Sequence, residues 1–110
     1  MSDDPIAATR LLSRSIDAET VEPDGGSEAL STASRTLLEG DLEVGLWEAG
    51  PGTDTDTEVD ETFLVLAGAG TVTFADGSAI DLRPGVLVRL REGDQTTWKI
   101  TERVRKVYLI

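Results

Sequence analysis

The chain has 110 residues, enough for one domain with a single core and too few for two. Its net charge of −11 excludes nucleic acid and anionic membrane surfaces as natural partners. With no cysteine and no histidine, disulfides, thiolate sites and imidazole chemistry are all excluded.

Aromatic residues make up only 5% of the chain, so aliphatic Val, Leu and Ile must build most of the core. No run approaches the ~20 apolar residues that span a bilayer. Met1-Ser2-Asp3-Asp4 is the opposite of a basic signal-peptide start, so a cytoplasmic protein is expected. The charge is unevenly placed. Residues 36–82 carry eleven acids and no base, whereas residues 83–110 carry seven bases and three acids. Either these opposite-signed segments lie against each other, within the chain or across a dimer, or the acids form a solvated surface.

In chain order, residues 1–32 read as a polar N-terminal arm, partly extended or loosely ordered. Pro5, Pro23 and Gly25-Gly26 interrupt it, and one short element is expected around Ile6 to Ile16. From Ala33 the pattern becomes strand, turn, strand. Thr36-Leu37-Leu38 leads through Glu39-Gly40-Asp41 into Leu42 to Trp47, which alternates with a period of two. Leu42, Val44 and Leu46 share one face there, and Glu43 and Trp47 the other. Thr62 to Ala67 is a nearly continuous apolar strand. Thr71 to Phe74 follows and closes on Asp76-Gly77, a hairpin dipeptide that tolerates positive φ. Ala79 to Leu82, Val86 to Leu90, Thr96 to Thr101 and Val104 to Ile110 supply four more strands. Short strands spaced by Gly and Pro turns predict an all-β fold with little or no helix. A jelly-roll barrel of two antiparallel sheets over residues 33–110 is the leading arrangement.

Two spaced motifs sharpen this. Glu61 is followed by six residues and Gly68; Gly85 is followed by five residues, Arg91-Glu92-Gly93, two residues and Thr96. Gly45-Leu46-Trp47-Glu48 enters a Pro-Gly turn, Thr97-Trp98-Lys99-Ile100 lies late in the chain, and Val104-Arg105-Lys106-Val107-Tyr108-Leu109-Ile110 ends it. In order and spacing these blocks resemble the cupin superfamily. They are most similar to its small single-domain branch of ureidoglycine-aminohydrolase-like and ethanolamine-utilisation-like proteins. The resemblance covers residues 33–110.

The resemblance implies a metal site in which two histidines precede the glutamate and a third closes the second motif. Here the matching positions are Thr55 and Thr57, or Asp54 and Asp56 if the spacing to Glu61 is one residue longer; the last is Thr96. The second motif's proline is Arg91. Threonine hydroxyls hold divalent transition metals poorly, so Glu61 is the one retained ligand and no metal or other cofactor is expected. Asp54, Asp56, Glu58 and Asp60 alternate and would share one side of an extended strand. A straight row at about 7 Å spacing suits a solvated face better than a wrapped Ca²⁺ or Mg²⁺ site.

Strand parity then suggests a lumen. If Glu61 faces inward as the resemblance implies, Phe63 and Val65 follow it, and Thr96 brings Trp98 and Ile100. The expected ligand-binding set is Thr55, Thr57, Glu61, Phe63, Thr96 and Trp98, largely apolar with a few hydroxyls and one carboxylate. An inward glutamate needs a partner or a use; Arg89 and Arg91 are the candidate ion-pair partners. Tyr108 shares parity with Lys106 and Ile110 and is expected on the sheet's other face or at a dimer contact. The function expected is binding of a small organic molecule in the barrel by a homodimer. One alternative is a metal-independent isomerase, epimerase or lyase with Glu61 as general base and Tyr108 holding an oxyanion. Another is a non-catalytic interaction module that docks through its acidic strand. No serine sits in a nucleophile elbow, and Gly68-Ala69-Gly70 is a turn rather than a phosphate loop.

Overall fold

A computed structural model describes residues 5–110. Met1 to Asp4, which carry the argument against a signal peptide, lie outside the described residues. Among the described residues there are eight strands: β1 (Glu22–Pro23), β2 (Ala33–Leu38), β3 (Val44–Ala49), β4 (Gly52–Thr57), β5 (Glu61–Phe74), β6 (Ala79–Leu82), β7 (Leu87–Leu90) and β8 (Gln95–Leu109). Among the described residues the only helical pieces are two short 3₁₀ turns, Ile6–Thr9 and Ile16–Ala18. No helix among the described residues is long and apolar enough to cross a membrane.

Two long strands make the barrel. The segments read as Thr62–Ala67 and Thr71–Phe74 are one strand, β5, and Thr96–Thr101 and Val104–Ile110 merge into β8. These two pair along almost their whole length, with register shifts between Val65 and Gly70. The C-terminal half of β8 pairs with β3, while its N-terminal half pairs with β4. The first half of β5 pairs with β7 and the second half with β6. Two antiparallel layers result, β1-β2-β3-β8-β5-β7 and β4-β8-β5-β6, continuous through the bent β5–β8 pair. Gly68 permits the bend. It has φ +92°, and a Cβ there would run into the Arg103 carbonyl and the Val104 backbone.

The core lies between the layers: Phe63, Val65, Val72, Leu82, Val88, Leu90, Trp98, Ile100 and Val104. Aliphatics dominate it, as the composition requires. Leu46 is 0% exposed although it points away from this core. It shares its face with Glu48 and, across the ladder, with Val107 and Arg105. Arg105 donates from Nη2 to the carbonyls of Ile16 and Glu19, so the N-terminal segment is held against that outer face. Packing also starts before Ala33. Leu30 belongs to the core, Thr32 is buried, and Ser27 Oγ donates to Asp54 Oδ2 at 2.6 Å.

The two charge segments do lie together within one chain. Arg103 and Arg105 both pair with Glu48, and Lys106 pairs with Glu61. Burial alone would raise the Glu48 carboxyl, but hydrogen bonds from Arg103 and Arg105 outweigh it and hold the group below its usual range.

Candidate functional site

The inward face of the β3–β8–β5 layer opens on a cavity of about 330 Å³. Its floor is set by ladder register. Lys106 lies opposite Trp47 on one side and Val65 on the other, and Tyr108 lies between Gly45 and Phe63. Inward parity therefore runs through Trp47, Phe63, Lys106 and Tyr108 together. The opposite wall is β4, where Asp54 faces Trp98 and Asp56 faces Thr96 across the ladder. Segment 24–34 borders the mouth through Asp24, Ser27 and Thr32.

Lys106 occupies the centre. It is 5% exposed, and its Nζ donates to Glu61 Oε2 at 2.6 Å. The same Nζ sits 4.3 Å from the Phe63 ring centroid, 4.5 Å from Trp47 and 5.0 Å from Trp98. The rings tilt against one another, Trp47 to Trp98 at 5.5 Å and Phe63 to Trp98 at 5.7 Å. A buried ammonium is costly unless paired, and here a carboxylate and three ring faces replace its water.

Two further carboxylates complete the wall. Glu58 Oε2 accepts from Thr96 Oγ1 at 2.7 Å and from Trp98 Nε1 at 3.0 Å. Burial pushes its carboxyl above the usual range, and neighbouring Asp56 adds to the rise. Glu43 accepts from the Tyr108 hydroxyl at 3.0 Å. Burial raises the Tyr108 hydroxyl, with Glu43 contributing further. Gly45 makes the Tyr108 position possible, since a Cβ there would overlap the phenol ring.

Several expectations are corrected by this geometry. Thr55 and Thr57 are in register with Thr97 and Gln95, on the face of β4 away from Trp98. Thr55 edges the cavity and Thr57 does not, so of the two possible alignments the structure selects Asp54 and Asp56 as the inward positions. The acidic row keeps much of its expected solvent contact, with Asp56 and Asp60 exposed, and Glu58 is the member drawn inward. Asp54, Asp56 and Glu58 border the cavity, and β4 ends at Thr57, so Asp60 turns off to accept from the Glu92 amide. Glu61 pairs with Lys106, not with Arg89 or Arg91. Arg89 lies opposite Thr62, one residue out of phase with the inward face. Tyr108 points into the lumen and not to the sheet's other face. Glu61, Phe63, Thr96 and Trp98 are brought together: Phe63 and Trp98 by ring contact, Thr96 and Trp98 through Glu58, and Glu61 through Lys106. Residues missed from the sequence are Trp47, Glu58 and Lys106. The shared parity of Glu43 with Trp47 and of Lys106 with Tyr108 was the available signal.

These side chains do not fit a transition metal. The ammonium of Lys106 stands against Glu61, the one retained ligand position, and Thr96 is engaged by Glu58. Among the described residues no three Asp or Glu side chains converge to hold a metal ion.

The family model for the EutQ-like cupin domain matches residues 36–108. The chain belongs to the EutQ-like cupin family. A search of curated proteins finds no match for this cupin. Among solved structures it is similar to ethanolamine utilization protein Q of Salmonella typhimurium LT2, at 18% identity and a TM-score of 0.71, covering 81% of this chain and 76% of that one. The Clostridium difficile EutQ protein matches at 21% identity and a TM-score of 0.66, covering 78% of this cupin and 71% of that chain. At these identities the likeness shows the fold. A DUF861 family protein of Thermotoga maritima is 33% identical over 57% of this cupin and 73% of its own chain, with a TM-score of 0.54.

Proposed function

We propose that this cupin binds a small organic molecule in its lumen without a transition-metal centre. The observation that carries the reading is the open cavity of about 330 Å³, whose walls combine two indole rings with many carboxylates and hydroxyls. A closed or filled barrel would have favoured a surface-docking module instead. The walls carry Asp24, Glu43, Asp54, Asp56, Glu58 and Glu61 against the single base Lys106, which favours an uncharged, donor-rich or cationic ligand over an anion. The chain is proposed to act in the cytoplasm as a homodimer, supported by the sheet edges at β4, β6 and β7, each paired on one side only.

Both tryptophans of the chain border this cavity, so their fluorescence reports its occupancy. A titration with a panel of small amines, alcohols and carboxylates should give saturable changes for amines or alcohols. No response to any of them, with no small molecule co-purifying by native mass spectrometry, would overturn the reading.

A second reading is a metal-independent isomerase or lyase with Glu61 as base. It is favoured by Glu58, whose raised carboxyl supplies an acid on the same cavity wall.

A further inference from the structure

Lys106 is a primary amine buried beside a cavity, and the binding reading gives its nitrogen no chemistry. The chain has only one other lysine, Lys99, which is exposed and faces away from the lumen. Lys106 borders the cavity and touches Glu61, a carboxylate placed to take a proton from Nζ at 2.6 Å. Across the same space stands Glu58, held by Thr96 and Trp98. Nucleophile, proton acceptor and second carboxyl therefore border one cavity.

We propose that Lys106 condenses with a small aldehyde or ketone in the lumen to form a protonated imine. Glu61 takes one proton from the ammonium, and the freed nitrogen lone pair attacks the carbonyl carbon as the carbon–oxygen π bond opens. Glu58 protonates the oxygen, giving a hydroxyl on a carbon whose nitrogen still carries two hydrogens, and that nitrogen then returns one proton to Glu58. The proton held by Glu61 passes to the hydroxyl, which leaves as water as the nitrogen lone pair forms the double bond to carbon, so both carboxyls end as they began. Overall an ammonium and a carbonyl compound give an iminium and one water, with no oxidant or reductant and no net change of charge.

The charge balance is what suits this cage. Nitrogen is a cation before and after the step, so the rings of Trp47, Phe63 and Trp98 and the Glu61 carboxylate stabilise product as they stabilise reactant. Burial that would penalise creation of a new charge adds little here. The raised carboxyl of Glu58 supports its part as proton donor. Carboxylates on the walls disfavour keto acids, so the substrate class is an uncharged or cationic carbonyl compound of a few carbons.

The inference depends on the lumen admitting small molecules, as proposed above. The full chain is incubated with propanal and cyanoborohydride, digested, and mapped for the added propyl group. Labelling at Lys106 at least about tenfold faster than at Lys99 or the amino terminus is expected from an oriented, carboxylate-flanked amine. Pyruvate should label Lys106 far less than propanal. Lys106→Arg keeps the cation in its cage and should abolish the lumen label while the melting temperature stays near that of the parent. Glu58→Gln should slow labelling at Lys106 but not at Lys99. Equal labelling of all three amines would overturn the proposal. So would an unlabelled Lys106 in protein whose tryptophan fluorescence still responds to propanol; in that case the binding reading stands and the imine fails. Neither label nor fluorescence response would sink both.

Discussion

The indole of Trp98 donates to Glu58 Oε2 at 3.0 Å, tying the turn after β4 to the N-terminal half of β8. That bond holds a carboxylate on the cavity wall where burial disfavours its charge. The folded protein therefore holds the Glu58 proton more tightly than the unfolded chain does. The resulting stability is fully present below the ordinary carboxylate range and is lost as pH rises through the raised value. Glu58→Gln keeps an acceptor for Trp98 and cannot ionise. It should raise the melting temperature relative to the parent at about pH 8 and make little difference at about pH 4. An equal shift at both pH values, measured by calorimetry, would show that the Glu58 charge costs nothing.

The Glu61–Lys106 pair should behave as a unit. Lys106→Met leaves a carboxylate without its partner and should cost about 3–5 kcal/mol in denaturant unfolding. Glu61→Gln should also destabilise, and it should weaken a cationic or donor-rich ligand by about 1–3 kcal/mol. Combining the two should recover much of the loss, with a coupling energy of at least about 1 kcal/mol. Strict additivity would mean that the ion pair is idle. If Glu61 acts as a catalytic base, Glu61→Gln should lower turnover at least about 10²-fold.

At Gly68 the β5 crossing demands both positive φ and an absent side chain. Gly68→Ala should therefore destabilise by about 3 kcal/mol or more, combining backbone strain with overpacking. Gly77→Ala, where φ is also positive but the surroundings are open, should cost clearly less. Similar midpoints for the two variants in urea would refute the close crossing.

Elemental analysis after dialysis should find no stoichiometric Mn, Fe, Ni or Zn. The Lys106 ammonium would have to leave Glu61 before such an ion could enter. About one metal per chain, or loss of thermal stability on adding a chelator, would contradict this.

Light scattering at micromolar concentration should give a dimer. Its contact should not use the terminal strand as an added edge, because β8 already pairs with β3 and β5. The open edges of β4, β6 and β7 are the expected surfaces, and salt should loosen the dimer if charges dominate the contact. A monomer in low salt would count against it.

Local pattern determined much of this protein. Turn residues placed most strand segments but broke β5 at Gly68-Ala69-Gly70 and β8 after Thr101, where the strands run on. Two motif spacings placed Glu61 and Thr96, and period-two alternation correctly put Phe63, Val65, Trp98 and Ile100 on one inward face. The same alternation was ambiguous wherever one residue of spacing mattered. Thr55/Thr57 and Asp54/Asp56 are equally regular, and only hydrogen-bond register with β8 decided for the aspartates. Nor does alternation state where a strand stops, so Glu58 was read as part of a solvated row until the turn after Thr57 carried it inward to Trp98. The partner of Glu61 was beyond local reach for a different reason. Lys106 is 45 residues away, and a basic residue in a strand reads as surface until two neighbouring strands surround it with rings and a carboxylate. Which charges are buried is decided by long-range pairing, and that information resides in the tertiary structure.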